Sequence, residues 1–384
     1  MSKRFIPLSV PNLKGNELKY VTEAIETEWV STGGAFINEF EKCTAEYVKA
    51  EGAVACQSGT AGIHLALLAN GISSNDEVIV PALTFIAAVN PVSYVGAYPI
   101  FMDCDDSLCM DMDKVERFCQ EQCTFSDGKL VNNVSGRHIK AMIVVHIFGN
   151  MANMEKAVDI ADKYNLILIE DATEALGSYV KEGIFKGKYA GTIGKVGIYS
   201  YNGNKIITTG GGGMIVSNDC ELLEKIRYLS TQAKDDMLYY IHDNIGYNYR
   251  MTNLQAAVGI GQMEALEDFI RVKEKNYHLY NDLGIELIKF RRSIRPNYWF
   301  YSYMTEHRDD LITYLDSVGI QTRPIWNLIC DLKPYNKCMK FCIEKAKVYW
   351  DKVVNIPCST NMSKDEVHRV AHEIKQFERV TNGY

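Results

Sequence analysis

Much is missing from this chain of 384 residues, and each absence removes a class of protein. Its eleven cysteines are scattered from Cys43 to Cys358 without one CxxC pair. The closest spacings, Cys119/Cys123 and Cys338/Cys342, have no second half-site to complete a zinc tetrahedron, so no metal centre is expected. An odd, scattered set reads as the thiols of a reduced, cytoplasmic protein, not as a disulfide framework. No GxGxxG follows an early strand, which removes the fingerprint of a nicotinamide oxidoreductase. There is no low-complexity tract and no repeat at solenoid periods. The opening "MSKRFIPLSVPNLKG" lacks the apolar run of a signal peptide. Val78 to Met102 carries no charge and is longer than the ~20 residues of a bilayer span. Pro81, Pro91 and Pro99 break it, so it reads as buried strand, loop, helix and strand, with no membrane partner. Positive charge is also short: 41 Lys and Arg face 48 Asp and Glu, a formal net charge of -7. That argues against nucleic acid as the main partner, yet leaves room for a local pocket that takes a phosphorylated small molecule.

What is present has the composition of an ordinary globular protein, 47% hydrophobic and 23% charged. Strand-like runs recur at "GAVAC" (52–56), "EVIVP" (77–81), "YPIFMD" (98–103), "KAMIVVHIFG" (140–149), "NLILIED" (165–171), "KVGIYSY" (195–201) and "GMIVSN" (213–218). Helical patterns lie between them, at 60–71, 110–122 and 154–164. Near-continuous apolar strands alternating with amphipathic helices predict an α/β fold, a mostly parallel sheet between helices. A long helix starts at Thr252 and leads to strands near 297–304 and 322–326, then two more helical patterns. The division expected is a large domain over 1–251 and, over 252–384, the linking helix with a smaller α+β domain.

One stretch asks for a chemical explanation. "YSYNGNKIITTGGGGMIVS" (199–217) sets Lys205 between an Asn-Gly turn and four consecutive glycines. In a P-loop the glycines precede the lysine and a helix follows; here the order is reversed and an apolar strand follows. Three further features fall where strands end, the edge at which open α/β sheets bind ligands. "CQSGTAG" (56–62) brings Ser58, Gly59 and Thr60 to a helix N-terminus, which serves equally as a phosphate site or an ordinary cap. "LILIEDATEALGS" ends a strand in Glu170-Asp171, where a carboxylate could hold a protonated ring nitrogen or simply make a salt bridge. "PALTFIAAVNP" sets Thr84 and Phe85 after another strand, where an aromatic ring either stacks on a flat cofactor or fills the core. Lys205 has apolar and glycine neighbours, and burial would free its amine for Schiff-base chemistry. Phosphate cradle, ring acid, ring stacker and Schiff-base lysine are together what pyridoxal 5'-phosphate requires, and their order resembles that of fold type I enzymes of this cofactor.

Across nearly its whole length the chain resembles the DegT/DnrJ/StrS family of nucleotide-sugar aminotransferases. The matching stretches include "EWVSTGGAFINEFE" (28–41), "SGTAGIHLAL" (58–67), "PALTF" (81–85), "EDATEALGS" (170–178), "YSYNGNKIITTGGGG" (199–213) and "GYNYRMTNLQAAVG" (246–259). The resemblance implies Lys205 as the Schiff-base lysine, Asp171 as partner of the pyridine nitrogen and Phe85 as the ring stacker. It implies phosphate contacts from Gly59, Thr60 and Ser200. Asn248 and Arg250 match a segment that reaches into a neighbouring subunit's site, so a homodimer with shared active sites is expected. Glu174 stands where many members carry glutamine near the cofactor's phenolic oxygen. Thr32, Arg250 and Arg323 complete the substrate-binding set, with Arg323 in "TRPIW" a candidate for the donor carboxylate or the substrate diphosphate. His146 in "VVHIFGN" either lines the site or is structural, and "HRVAH" (368–372) reads as a solvated helix face.

The activity implied is amino transfer from L-glutamate to a nucleotide-linked keto-sugar, with Lys205 moving the proton. A sugar dehydratase on the same scaffold is the first rival, but its relatives carry histidine in place of the lysine. A non-catalytic protein of the same fold would have lost Lys205 or Asp171. The wording of several stretches resembles the subgroup making 4-amino sugars for bacterial nonulosonic acids such as legionaminic acid. That implies a UDP-linked 2-acetamido-4-keto-2,6-dideoxyhexose, aminated equatorially at C4, with a dTDP- or GDP-linked 3- or 4-keto-6-deoxy sugar as the alternative.

Overall fold

The apolar runs of the first part of the chain become the strands of one sheet in a computed structural model that describes residues 5–381. They are β1 (Gly52–Cys56), β2 (Asp76–Pro81), β3 (Tyr98–Met102), β4 (His138–Val145), β5 (Ile167–Asp171), β6 (Val196–Ser200) and β7 (Gly213–Ser217). Their order across the sheet is β1-β7-β6-β5-β4-β2-β3. All neighbours from β6 to β3 run parallel, and β1/β7 and β7/β6 are antiparallel. The reason lies in the connections. A parallel neighbour needs a crossover, usually a helix, whereas the Lys205 segment leads β6 straight back into β7 without one. Every residue of β2 and β7 is buried, as covering both faces of a sheet requires.

Two differences from the sequence expectation within the large sheet have physical causes. The run at 140–149 is not one strand: β4 ends at Val145, and Phe148 at φ 55° turns the chain through a single 3₁₀ turn. An additional hairpin, Cys123–Ser126 with Lys129–Asn132, extends the sheet beside β4. Its turn is Asp127-Gly128, both at positive φ (51° and 70°), the geometry that favours Asp-Gly in two-residue hairpins.

The helix Asn253–Asp282 begins at Thr252, whose side chain and that of Gln255 form a reciprocal capping box. It packs on the helices Glu17–Glu26 and Ala35–Val48. Beyond it lies a small antiparallel sheet of Tyr301–Met304, Val353–Ile356 and Arg323–Pro324. The strand expected over 297–304 therefore starts only at Tyr301, after an irregular stretch in which Tyr298 adopts φ 56°. Lys340–Phe341 returns to the large sheet and pairs in parallel with β3.

Candidate active site

The carboxyl ends of β5 and β6, the N-terminus of the helix Gly59–Ala69 and the loop after β6 converge on a cavity of about 310 Å³. Ser58, Gly59, Thr60, Thr84, Phe85, Asp171, Glu174, Ser200 and Lys205 all line it. A larger depression of about 580 Å³ beside Trp350 is lined by surface charge, Asp331, Asp351, Lys347 and Lys352, none of them buried.

Lys205 occupies a turn in which its own N–H donates to the Asn202 carbonyl at 3.0 Å. Its side chain is 12% exposed, and Nζ lies 3.9 Å from Glu174 Oε1. Burial holds the amine below its usual pKa, against the opposing charges of Glu174 and Asp171. Asp171 ends β5, almost wholly buried. Burial also raises its carboxyl, while the Thr173 hydrogen bond (N to Oδ1, 3.0 Å) and the Lys205 charge pull it back. Glu174 is buried too, and its carboxyl is pushed up to about 7, with the Lys205 charge and the Phe148 N–H (2.8 Å) opposing. The site is thus short of positive charge for its two acids, which suits a cationic ring nitrogen at Asp171.

The helix terminus is built for close approach. Ser58 caps it, accepting from Ala61 N at 3.1 Å, and the first helical N–H groups have no intrahelical acceptor. A Cβ on Gly59 would lie 2.9 Å from Thr173 Cγ2 and 3.0 Å from Ser200 Cβ, so glycine lets these three segments meet. The glycine run after Lys205 divides its work. Gly211 and Gly212 line the cavity, whereas Gly213 packs inward, where a Cβ would meet the Ser58 carbonyl carbon at 2.6 Å. Thr84 also lines this space, and its Oγ1 is buried with no hydrogen-bond partner among the described residues, as an oxygen awaiting a polar ligand would be. A helix terminus, an orphaned hydroxyl, a ring acid, an exposed ring face on Phe85 and a buried amine fit pyridoxal phosphate.

Four of the residues anticipated for binding lie outside this cavity. Thr32 and Asn248 are exposed, and Arg323, exposed on the small sheet, donates through Nη1 to the Thr322 carbonyl at 3.0 Å. Arg250 is bonded to Glu41 and to the Ala55 carbonyl. His146 is fully buried behind the site: its Nε2 pairs with Glu170 Oε2 at 2.8 Å and its Nδ1 accepts from Ala152 N at 3.2 Å. That makes it the hydrogen-bonded structural histidine of the two readings. Sequence reasoning also overlooked a wall of Trp299, Phe300 and Trp326. The signal was present in "NYWFYSY" and "TRPIW", but an aromatic run in a strand pattern looks like core.

A sequence model described as the DegT/DnrJ/EryC1/StrS aminotransferase family matches residues 11–375. GDP-perosamine synthase of Escherichia coli O157:H7 is 37% identical over 97% of this chain and 99% of its own. The UDP-4-amino-4,6-dideoxy-N-acetyl-beta-L-altrosamine transaminase of Campylobacter jejuni is 29% identical over 99% of both chains. A crystal structure of a DegT DnrJ EryC1 StrS aminotransferase from Brucella abortus superposes with a TM-score of 0.86 at 25% identity, covering 94% of this chain and 95% of that one.

Proposed function

The chain belongs to the DegT/DnrJ/EryC1/StrS aminotransferase family, whose members depend on pyridoxal phosphate, and from that premise we propose how its residues divide the work. Asp171 holds the ring nitrogen and Gly59, Thr60 and Ser200 hold the phosphate. Phe85 covers one ring face, and Thr84 offers the hydroxyl that has no partner among the described residues. Lys205 carries the cofactor and, once released, takes the proton from the donor's α-carbon and returns it at the other end of the transfer. The bound cofactor supplies the electrophilic aldehyde and the electron-withdrawing ring. Residues 1–251 then provide the cofactor cradle, and the part from 252 onward provides the aromatic wall facing it. The observation that carries this reading is the convergence of Lys205, Asp171 and the helix terminus on one cavity.

L-glutamate is the proposed donor, and the acceptor is a nucleotide-linked 4-keto-6-deoxy sugar. Similarity to GDP-perosamine synthase over the full length favours a GDP-linked acceptor over the UDP-linked 2-acetamido sugar expected from the wording of single stretches. The UDP-linked acceptor is the second reading, supported by the Campylobacter transaminase. Asn248, exposed on the segment before the long helix, is proposed to complete the site of a second subunit in a homodimer.

Borohydride should fix the cofactor to the peptide that contains Lys205, and Lys205→Ala should abolish turnover; a cofactor fixed elsewhere would refute the assignment. A panel of GDP-, UDP- and dTDP-linked 4-keto sugars with glutamate, read by product NMR, decides the acceptor. Preference for the UDP-linked 2-acetamido sugar would restore the second reading.

A further inference from the structure

The Lys205 amine lies over the face of Trp299, 4.2 Å from the ring centroid. The indole is not a casual neighbour. Its Nε1 donates to the Asn204 carbonyl at 2.7 Å, which ties the ring edge to the residue preceding the lysine. Its backbone is fixed as firmly: Trp299 N donates to Asn297 Oδ1 at 3.0 Å, and its carbonyl accepts from the buried Lys273 Nζ at 2.9 Å. Asn297 in turn donates through Nδ2 to the carbonyls of Glu174 and Leu176, both at 2.9 Å. Tyr298, between these anchors, takes φ 56°, a left-handed conformation that a tyrosine adopts only when its surroundings impose it. The face of Phe300 stacks behind Trp299 with centroids 4.1 Å apart and planes 11° from parallel, which sets the plane of the indole. A strained, multiply anchored backbone that presents one aromatic face to one amine is more than filling.

We propose that Trp299 is a positioning residue for Lys205: its π face receives the amine once it has taken up the donor's proton and become charged, and keeps it on the reacting side of the cavity between the two halves of the transfer. This deepens the reading of Lys205 given above and rests on it. The need is physical. The released amine must be drawn back from the donor's α-carbon without leaving reach of it, in a cavity whose acids, Glu174 at 3.9 Å and Asp171, would otherwise be its only charged neighbours among the described residues. A carboxylate that captured it tightly would hold the proton it must pass on. An aromatic face attracts the cation without accepting a proton, and in a desolvated place the attraction is substantial. The anchor at Asn204 keeps the ring in register with the turn that carries the lysine.

The test reads the amine directly. In the full chain loaded with pyridoxamine 5'-phosphate the Lys205 amine is free, and its acylation by acetic anhydride across pH, quantified by peptide mass spectrometry, gives its apparent pKa. Trp299→Leu should lower that value by about one unit, a tenfold change in the charged fraction, because the charged form loses the ring. Trp299→Phe, which keeps a ring but not the indole N–H, should lower it by less than half as much. If the leucine variant does not fold, stepwise fluorination of the tryptophans weakens the ring face without changing its shape, and the value should fall with each added fluorine. No shift in a folded leucine variant, equal shifts in the two variants, or no trend on fluorination would each overturn the proposal. The same titration on chain freed of cofactor, beside borohydride fixation at Lys205, separates this failure from failure of the cofactor assignment: fixation without a shift refutes only Trp299.

Discussion

Arg250 is bonded to Glu41 within its own chain, and Glu41 is held a second time by Arg227, whose NH2 lies 2.9 Å from Oε2. Glu41 is 6% exposed and also accepts from Ala55 N at 2.7 Å, so the pair clamps the helix Ala35–Val48 to β1. Arg250→Ala should lower stability by about 3 kcal/mol, because it leaves a buried carboxylate underpaired. Arg227, nearly half exposed, should cost less than about 1 kcal/mol when removed. Urea denaturation of the two variants checks the ranking, and a reversed order would show that the buried pair does not hold the clamp.

Asp171→Asn should still bind pyridoxal phosphate, since the phosphate cradle and Lys205 are untouched, yet turn over slower by orders of magnitude. An amide cannot keep the ring nitrogen protonated, and a charge-assisted interaction in a dry site is worth roughly several kcal/mol. Cofactor absorbance and single-turnover rates measure the two halves of this statement. Near-normal turnover would place the ring acid elsewhere.

Glu174 makes the cofactor-free protein sensitive to pH in a defined sense. Its carboxyl rises from 4.5 to about 7 on folding, so the folded chain holds the proton more tightly than the unfolded one. The stability this contributes is complete below about 4.5 and is lost as pH rises through about 7. The loss is on the order of 3 kcal/mol. Glu174→Gln should remove that slope, as melting temperatures measured across pH 4.5 to 7 will show. An unchanged slope in the glutamine variant would mean the dependence arises at other groups.

Subunit sharing has a genetic readout. Lys205→Ala and Asn248→Ala chains, each impaired alone, should recover part of the activity when mixed and allowed to exchange. Mixed dimers, verified by tagged copies, that stay inactive would mean each chain builds its own site.

The sheet and the cavity to which its strand ends converge are legible because strand periodicity and strand ends carry the information locally. β1, β2, β3, β5, β6 and β7 fall within two residues of the apolar runs that announce them. Lys205, Asp171 and the Gly59 helix terminus stand out because each breaks a local pattern. Trp299 could not be found that way: its role depends on an anchor at Asn204 and on a lysine far off in sequence, and tryptophan in an apolar run breaks no pattern. The kink after Val145 was hidden for a related reason, since Glu170 reaches His146 from a different strand. The Asp127-Gly128 hairpin was readable from its turn and was passed over.

The pairing of Lys340–Phe341 with β3 bears on whether the two parts of the chain can move apart. Phe101 N donates to the Met339 carbonyl at 2.9 Å, and the buried Asp103 accepts from the backbone of Glu344, Lys345 and Ala346 at 2.8–3.0 Å. The C-terminal part is thereby riveted to the far edge of the same sheet whose carboxyl ends line the Lys205 cavity. A clamshell swing would tear those bonds from a buried carboxylate. An opening between the two parts of the chain is thereby resisted at this edge of the sheet.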